Sequence, residues 1–178
     1  MPRILWTIGH STRGLDELVD VLRHYGIEMV VDVRTVPRSR KNPQFNKEDL
    51  GPALQQVGIE YVHVRELGGL RKAREDSTNM AWRDDGFRGF ADYMQTPGFE
   101  EGIERLVGLA ESKRTAIMCA EILPWQCHRS LIADALIVRG FEVVEIFDAQ
   151  KSQPHKLTPF AIVEDGKVTY PAQSDISA

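Results

Sequence analysis

The stretch Ile27-Glu28-Met29-Val30-Val31-Asp32-Val33 is a near-continuous run of strand formers, stopped by Arg34 and Pro37. Strict alternation would mark a strand with one wet face. A run that stays apolar on successive residues suits a strand covered on both faces, as in a parallel sheet. Upstream, Arg3 to Ile8 is a second short apolar run, ended by Gly9-His10-Ser11, and it predicts a first strand paired in parallel with 27–33. Between the two, Leu15, Leu18, Val19, Leu22 and Tyr25 recur at helical spacing. Asp16 and Glu17 fall in the first turn of that helix and Gly26 just past its end, as the macrodipole and a left-handed cap favour.

Downstream the alternation continues. Asn46 is placed to cap a second helix, with Glu48 and Asp49 in its first turn, Leu50, Ala53, Leu54 and Val57 inward and Gly58 just beyond it. Ile59 to Val64 reads as a third strand, Thr115 to Cys119 as a fourth and Phe141 to Phe147 as a fifth. Phe87, Phe90, Ala91 and Met94 mark a short helix ended before Pro97. Phe99, Ile103, Leu106, Val107 and Ala110 mark another. His128 opens a last helix, with Leu131, Ile132, Ala135 and Leu136 on one face and Gly140 as its stop. Strands and helices that alternate in this way predict an open three-layer α/β fold. Its sheet has five mostly parallel strands with helices on both faces, and Pro159 to Pro171 adds a C-terminal β-hairpin turned at Asp165-Gly166, on an edge. The chain reads as one domain, 1–178, with a core at 3–147 and the hairpin extension at about 151–172.

Composition fits that reading. The 178 residues are 42% hydrophobic and 27% charged, near the average of globular domains, which excludes collagen, coiled coil and extensive disorder. No apolar run approaches the roughly 20 residues needed to span a bilayer, and Gly9-His10 interrupts the N-terminal run too early for a signal-peptide core, so the expectation is a cytoplasmic protein without a membrane partner. Two cysteines are too few for a disulfide framework. The net charge of −4 argues against a global polyanion binder while leaving local patches open.

In an open parallel sheet, ligands bind beyond the carboxyl ends of the strands. The residues just past each strand are therefore the informative ones: Gly9-His10-Ser11, then Asp32-Val33-Arg34, then Arg65-Glu66-Leu67-Gly68-Gly69, then Cys119-Ala120-Glu121 and Pro124-Trp125-Gln126-Cys127-His128-Arg129. Nearly every reactive side-chain type gathers on that edge. Cys127, at a helix N-terminus beside His128 and Arg129, has its thiolate favoured by the dipole and by cations, whereas Cys119 ends an interior strand with no adjacent cation in sequence. Arg129 stands in the first helical turn, where a cation is disfavoured unless Glu121 or a bound anion answers it. His10 and Ser11 offer an acid/base and a hydroxyl, and Asp32 a general base or a partner for Arg34. Gly68 and Gly69 allow backbone amides to approach a ligand closely. Arg34, Arg38, Arg40, Lys41 and Lys47, then Arg65, Arg71, Lys72 and Arg74, concentrate positive charge on the same edge. Residues 70–86, with few apolar anchors, read as a mobile lid.

Thr7-Ile8-Gly9-His10-Ser11, Val31-Asp32-Val33-Arg34 with Pro37 and Ser39, Leu67-Gly68-Gly69, Phe87 to Met94, and Cys119-Ala120-Glu121…Pro124…Cys127-His128-Arg129 resemble the bacterial and archaeal family called domain of unknown function 488. The resemblance runs from about residue 4 to 147 and implies that these motifs form one shared site, without supplying a reaction.

Together these features predict a small enzyme acting on a phosphate-bearing or other anionic substrate, a nucleotide or nucleic acid, at the C-terminal edge of the sheet. Cys127 or His10 would do nucleophile or proton work, Glu121 and Asp32 would orient, and Ser11, Arg34, Arg129, Gly68, Gly69 and His128 would hold the anion. Two other classes compete: a non-catalytic nucleic-acid-binding module, and a zinc-stabilised structural protein drawing on Cys119, Cys127, His128, His10 and Glu121. The chain has no C-x-x-C pair and no H-E-x-x-H, and it calls for no cofactor and no resident metal.

Overall fold

A computed structural model describes residues 3–172; the positions 1–2 and 173–178 of the expected single domain lie outside the described residues. The elements in chain order are β1 (Arg3–Gly9), α1 (Leu15–His24), β2 (Met29–Asp32), α2 (Lys47–Gln56), β3 (Glu60–His63), α3 (Asp85–Tyr93), α4 (Pro97–Ser112), β4 (Thr115–Cys119), α5 (Arg129–Val138), β5 (Phe141–Ile146), β6 (Ser152–Pro154), β7 (Ile162–Glu164) and β8 (Lys167–Thr169). The main sheet runs β3-β2-β4-β1-β5-β6 and is parallel except for β6, which pairs antiparallel with β5. Among the described residues no helix is long and apolar enough to cross a membrane.

The α/β fold with its mostly parallel sheet and C-terminal hairpin is as the sequence predicts, with two corrections to the pairing. β1 and β2 are parallel but not adjacent, because β4 lies between them: Met29–Asp32 pairs with Thr115–Met118, and Trp6–Gly9 with Ala116–Cys119. Thr-Ala-Ile-Met-Cys is buried at every position, and so continuous an apolar strand is most stable where both faces and both edges are covered. The sheet also has a sixth strand. Ser152-Gln153-Pro154 carries no apolar alternation to announce it, and it covers the edge of β5 with a proline that cannot extend the ladder.

Successive side chains of the strands feed two cores. Leu5, Val31 and Ile117 face Phe90 of α3, Ile103 and Leu106 of α4 and Leu131 of α5. Ile8, Val30, Ala116 and Met118 face Leu18 and Leu22 of α1 and Leu50 and Leu54 of α2. Full burial of each such side chain contributes roughly 1.5–3 kcal/mol, so both faces hold the sheet rigid and leave its C-terminal edge as the place for irregular chain.

Three local expectations change. The Asn46 side chain does not cap α2; its Oδ1 accepts from the Ser39 backbone N–H at 2.7 Å, securing the basic loop instead. The hairpin does turn at Asp165 and Gly166, both with positive φ, but β7 and β8 form a separate two-stranded sheet off the edge of the main one, with the buried Val168 and Tyr170 in the core that contains α5. Residues 70–86 are better anchored than the sequence implies. The Asp92 carboxylate accepts from the Arg74 backbone, the Ser77 hydroxyl and the buried Asn79 amide, and Trp82 packs on Phe87, Phe160 and Tyr170.

One buried polar cluster fastens the C-terminal segment. Asp134 of α5 accepts from the Tyr170 hydroxyl at 2.7 Å, the Thr158 hydroxyl at 2.7 Å and His155 Nε2 at 2.8 Å, while His155 Nδ1 faces Glu145 of β5 at 3.0 Å. Burial alone would lower the His155 imidazole, but hydrogen bonds to the two carboxylates override it and raise its pKa to about 9. A histidine raised above its ordinary value of 6.5 contributes its stability in full below about 6.5 and loses it as pH rises through about 9. We expect the unfolding free energy to fall by about 2 kcal/mol across that window, after allowance for solvent screening. Denaturant unfolding at a series of pH values checks this, and His155→Gln should flatten the dependence.

Candidate functional site

The ends of β2 and β4 and the loops beyond β3 and β4 enclose a cleft of about 440 Å³, lined by Arg34, Arg38, Leu70, Phe87, Cys127 and His128 among others. Its floor is built around Arg129. This guanidinium is fully buried, at 0% exposure, and no carboxylate is among its hydrogen-bond acceptors. Nε donates to Cys119 Sγ at 2.9 Å, one terminal nitrogen to Thr7 Oγ1 at 2.9 Å, and the other to the backbone carbonyl of Glu121. The Arg129 backbone N–H, the first of α5, points at Cys127 Sγ from 3.5 Å. An isolated buried cation is too costly to persist, so a thiol of this pair must supply the opposite charge.

Of the two thiols, Cys127 is the one its surroundings push toward the thiolate. Burial opposes ionisation of both thiols, but at Cys127 it is overcome by hydrogen bonds from Cys119 and His128 and by the charge of Arg129, which hold that thiol well below its ordinary range. At Cys119 burial dominates and, together with its hydrogen bond to Cys127, pushes the thiol up. Burial lowers the Arg129 pKa and the two sulfurs more than restore it. The expectation that Cys119 has no adjacent cation is corrected by the fold: Arg129 reaches back ten positions to touch it.

His128 sits beside the thiolate in a fixed tautomer. Its Nε2 lies 2.9 Å from the Val33 carbonyl and 3.1 Å from the Leu67 carbonyl. Carbonyl oxygens only accept, so Nε2 carries a proton of its own, and Nδ1, which faces Cys127 Sγ at 3.6 Å, is the nitrogen placed to share the thiol's proton. The two loops that supply those carbonyls lie beyond β2 and β3, so sheet topology sets the imidazole's orientation.

A second group is built on Asp32, fully buried at the end of β2. Its oxygens accept from Arg34 Nε and from an Arg34 terminal nitrogen at 2.7 Å, from the Arg34 backbone N–H, and from the Tyr61 hydroxyl. Burial works against the Arg34 charge and Asp32 reverses that, raising its pKa; burial and Asp32 together raise Tyr61. Asp32 is thus the orienting partner of Arg34, with no position left for a general base. His10 Nδ1 bonds the Ser11 carbonyl at 2.9 Å, leaving Nε2 toward Arg34 at 3.4 Å, and its ring stacks on Phe45. Burial, assisted by Arg34, lowers the His10 pKa to about 4 against the opposing bond to Ser11, so near neutrality it is an uncharged acceptor that positions Arg34.

Several expected ligands turn inward or elsewhere. Each side-chain nitrogen of the buried Arg129 is directed at an acceptor within the protein, so the side chain turns inward and not toward the cleft mouth. Glu121 contributes its carbonyl to Arg129, and its side chain is exposed at the cleft. Ser11, with φ 51°, borders a different cavity beside Thr12 and Arg13. Gly68 and Gly69 serve packing: a Cβ at Gly68 would lie 2.4 Å from Thr35 Oγ1, and one at Gly69 only 2.6 Å from His128 Nδ1. Part of the basic concentration is neutralised locally, Arg38 by Glu48 and Arg74 by Asp76, while Arg71 stacks on the Tyr93 ring. Among the described residues no group of three or more His, Cys, Asp or Glu side chains is placed to hold a metal ion. Sequence reasoning missed Thr7, Tyr61 and the carbonyls of Val33 and Leu67. Only the Thr7-Ile8-Gly9-His10 motif carried a hint of the first.

Two substitutions test this architecture. Gly69→Ala should displace the His128 ring and slow alkylation of Cys127 severalfold while leaving the unfolding midpoint nearly unchanged; an unaltered labelling rate would separate His128 from the thiol's reactivity. Arg129→Ala should cost about 3–5 kcal/mol in denaturant unfolding, since it strands a buried thiolate.

Comparison with curated proteins and with solved structures gives no match. The model of one protein family does match, over residues 14–136, a span that includes Asp32, Arg34, both cysteines, His128 and Arg129. The chain belongs to the family described as domain of unknown function DUF488.

Proposed function

We propose that this chain is a cysteine-dependent hydrolase or transferase acting on a small anionic substrate in the cleft at the C-terminal edge of the sheet. The observation that carries the reading is the Cys127–His128 pair: a thiol facing an imidazole nitrogen whose tautomer is fixed by the Val33 and Leu67 carbonyls. A nucleophile, its base and a third group orienting the base are the parts of an activated thiol. In this mechanism His128 Nδ1 holds the proton of Cys127, the thiolate attacks the electrophilic acyl or phosphoryl centre, and the imidazolium returns the proton to the leaving group. Arg34, locked by Asp32 and steered by His10, offers positive charge to the anionic part of the substrate, with Arg38 at the rim. The exposed Val36 and Leu70 give the mouth an apolar lip for the remainder.

The exposed cations Arg40, Lys41 and Lys47 favour a second reading, a nucleic-acid-binding module. Its affinity would fall steeply with salt and would survive Cys127→Ala.

Alkylation of the folded protein tests the proposal. At neutral pH iodoacetamide should modify Cys127 well before Cys119, and the rate should persist to pH values well below the ordinary thiol pKa of about 8.5. Iodoacetate should be favoured over its neutral analogue relative to a free thiol, and inorganic phosphate or a nucleotide should protect. If both cysteines react only on unfolding, Cys127 is a packing residue and the nucleophile role fails.

A further inference from the structure

The acyl- or phosphoryl-transfer mechanism uses one thiol and leaves the other without a task. Cys119 is no remote packing residue: it lines the same cleft as Cys127, and both sulfurs are held by Arg129, through its side chain on one and its backbone N–H on the other. We infer that Cys127 and Cys119 are a two-electron redox pair that reduces a hydroperoxide, Cys127 as the attacking and Cys119 as the resolving thiol. The inference rests on the reading of Cys127 as a thiolate and adds a second substrate class for the same site.

The placement suits each step. Cys119 ends β4 and Cys127 precedes α5, and the chain between them is a loop with one short 3-10 turn at Pro124–Gln126, free of a continuous strand ladder that would oppose closing. Neither cysteine is tied up in a disulfide. The Cys127 thiolate attacks the peroxide oxygen; the S–O bond forms, the O–O bond breaks, and the alkoxide or hydroxide leaves to take a proton. Sulfur is oxidised by two electrons to the sulfenic acid and the peroxide is reduced. Cys119 then attacks Cys127 sulfur: the S–S bond forms, the S–O bond breaks, and hydroxide departs with the Cys119 proton as water. Two molecules of an external thiol such as glutathione then return the dithiol by successive exchange and leave as their own disulfide.

The same geometry says what oxidation does to the site. A disulfide removes the negative charge that answers Arg129 and leaves a buried guanidinium with only the neutral oxygens of Thr7 and Glu121. The oxidised form should therefore be easily reduced and should have no nucleophile.

The test uses the reduced full chain, freed of reductant and treated with one equivalent of hydrogen peroxide. The intact mass should fall by two hydrogens, a non-reducing digest should yield a peptide joining 119 to 127, and dithiothreitol should reverse both. Cys119→Ser should give no cross-link and instead a dimedone adduct on Cys127; if that variant fails to fold, the wild-type digest decides alone. If iodoacetamide labels Cys127 quickly while peroxide leaves both thiols intact, or drives Cys127 to the sulfinic acid with Cys119 still reduced, the redox pair is overturned and the nucleophile reading stands. If Cys127 answers neither reagent in the folded protein, both fall together.

Discussion

A guanidinium with no access to water and no carboxylate among its acceptors is the constraint around which this edge of the sheet is organised. Arg129 enters at the first turn of α5, the end of a helix where the macrodipole is least favourable to a cation. The neighbouring sulfur resolves both problems. The Cys127 sulfur accepts the backbone N–H that the helix N-terminus leaves free, and as a thiolate it would also neutralise the charge. The remaining arms of Arg129 tie together the hydroxyl of Thr7 on β1, Cys119 at the end of β4 and the carbonyl of Glu121 in the loop beyond, so one side chain joins two adjacent central strands to the loop that forms the site. The close passage of that loop is also why Gly9 ends β1: any Cβ there would fall 1.7 Å from the Glu121 carbonyl oxygen.

Most of the fold was legible because apolar runs and their punctuation are local signals. Gly26, Gly58 and Gly140 lie where the helix ends require φ above zero, and all three adopt it. Strand order was less legible, since which parallel strand occupies the centre depends on the summed burial of all of them. Asn46 shows how local rules yield: its side chain was free to cap α2, and a backbone N–H across the basic loop claimed it. The short β6 went unread because backbone pairing to β5, not side-chain pattern, makes it a strand.

At the site, residue types were legible and their roles were not. The sequence marks His10, Asp32, Arg34, Cys127, His128 and Arg129 as belonging to one edge, and they meet in two groups, His10 and Asp32 on Arg34, and His128 and Arg129 on Cys127. Spacing cannot reveal that the Arg129 side chain folds back under β4 in place of reaching outward to an anion, nor that backbone carbonyls of two other loops fix the His128 tautomer. Gly68-Gly69 illustrates the same limit. A glycine pair beside a site reads as room for a ligand, whereas the room at Gly69 is occupied by the His128 imidazole itself.

The two arginines of this edge meet the same electrostatic requirement by different chemistry. Arg34 is answered by the Asp32 carboxylate and donates to the Phe45 carbonyl, while the Tyr61 hydroxyl donates to the same carboxylate. Such a pair offers nothing to alkylate or oxidise. Arg129 is answered by sulfur, whose charge can be lost to a proton, an alkyl group or an oxidant. A carboxylate at position 127 would neutralise Arg129 equally well and would leave it inert. With a thiol there, the group set against the most buried cation is one that a proton, an alkyl group or an oxidant can alter, so the electrostatics of the loop and the chemistry open to the site meet at the same sulfur.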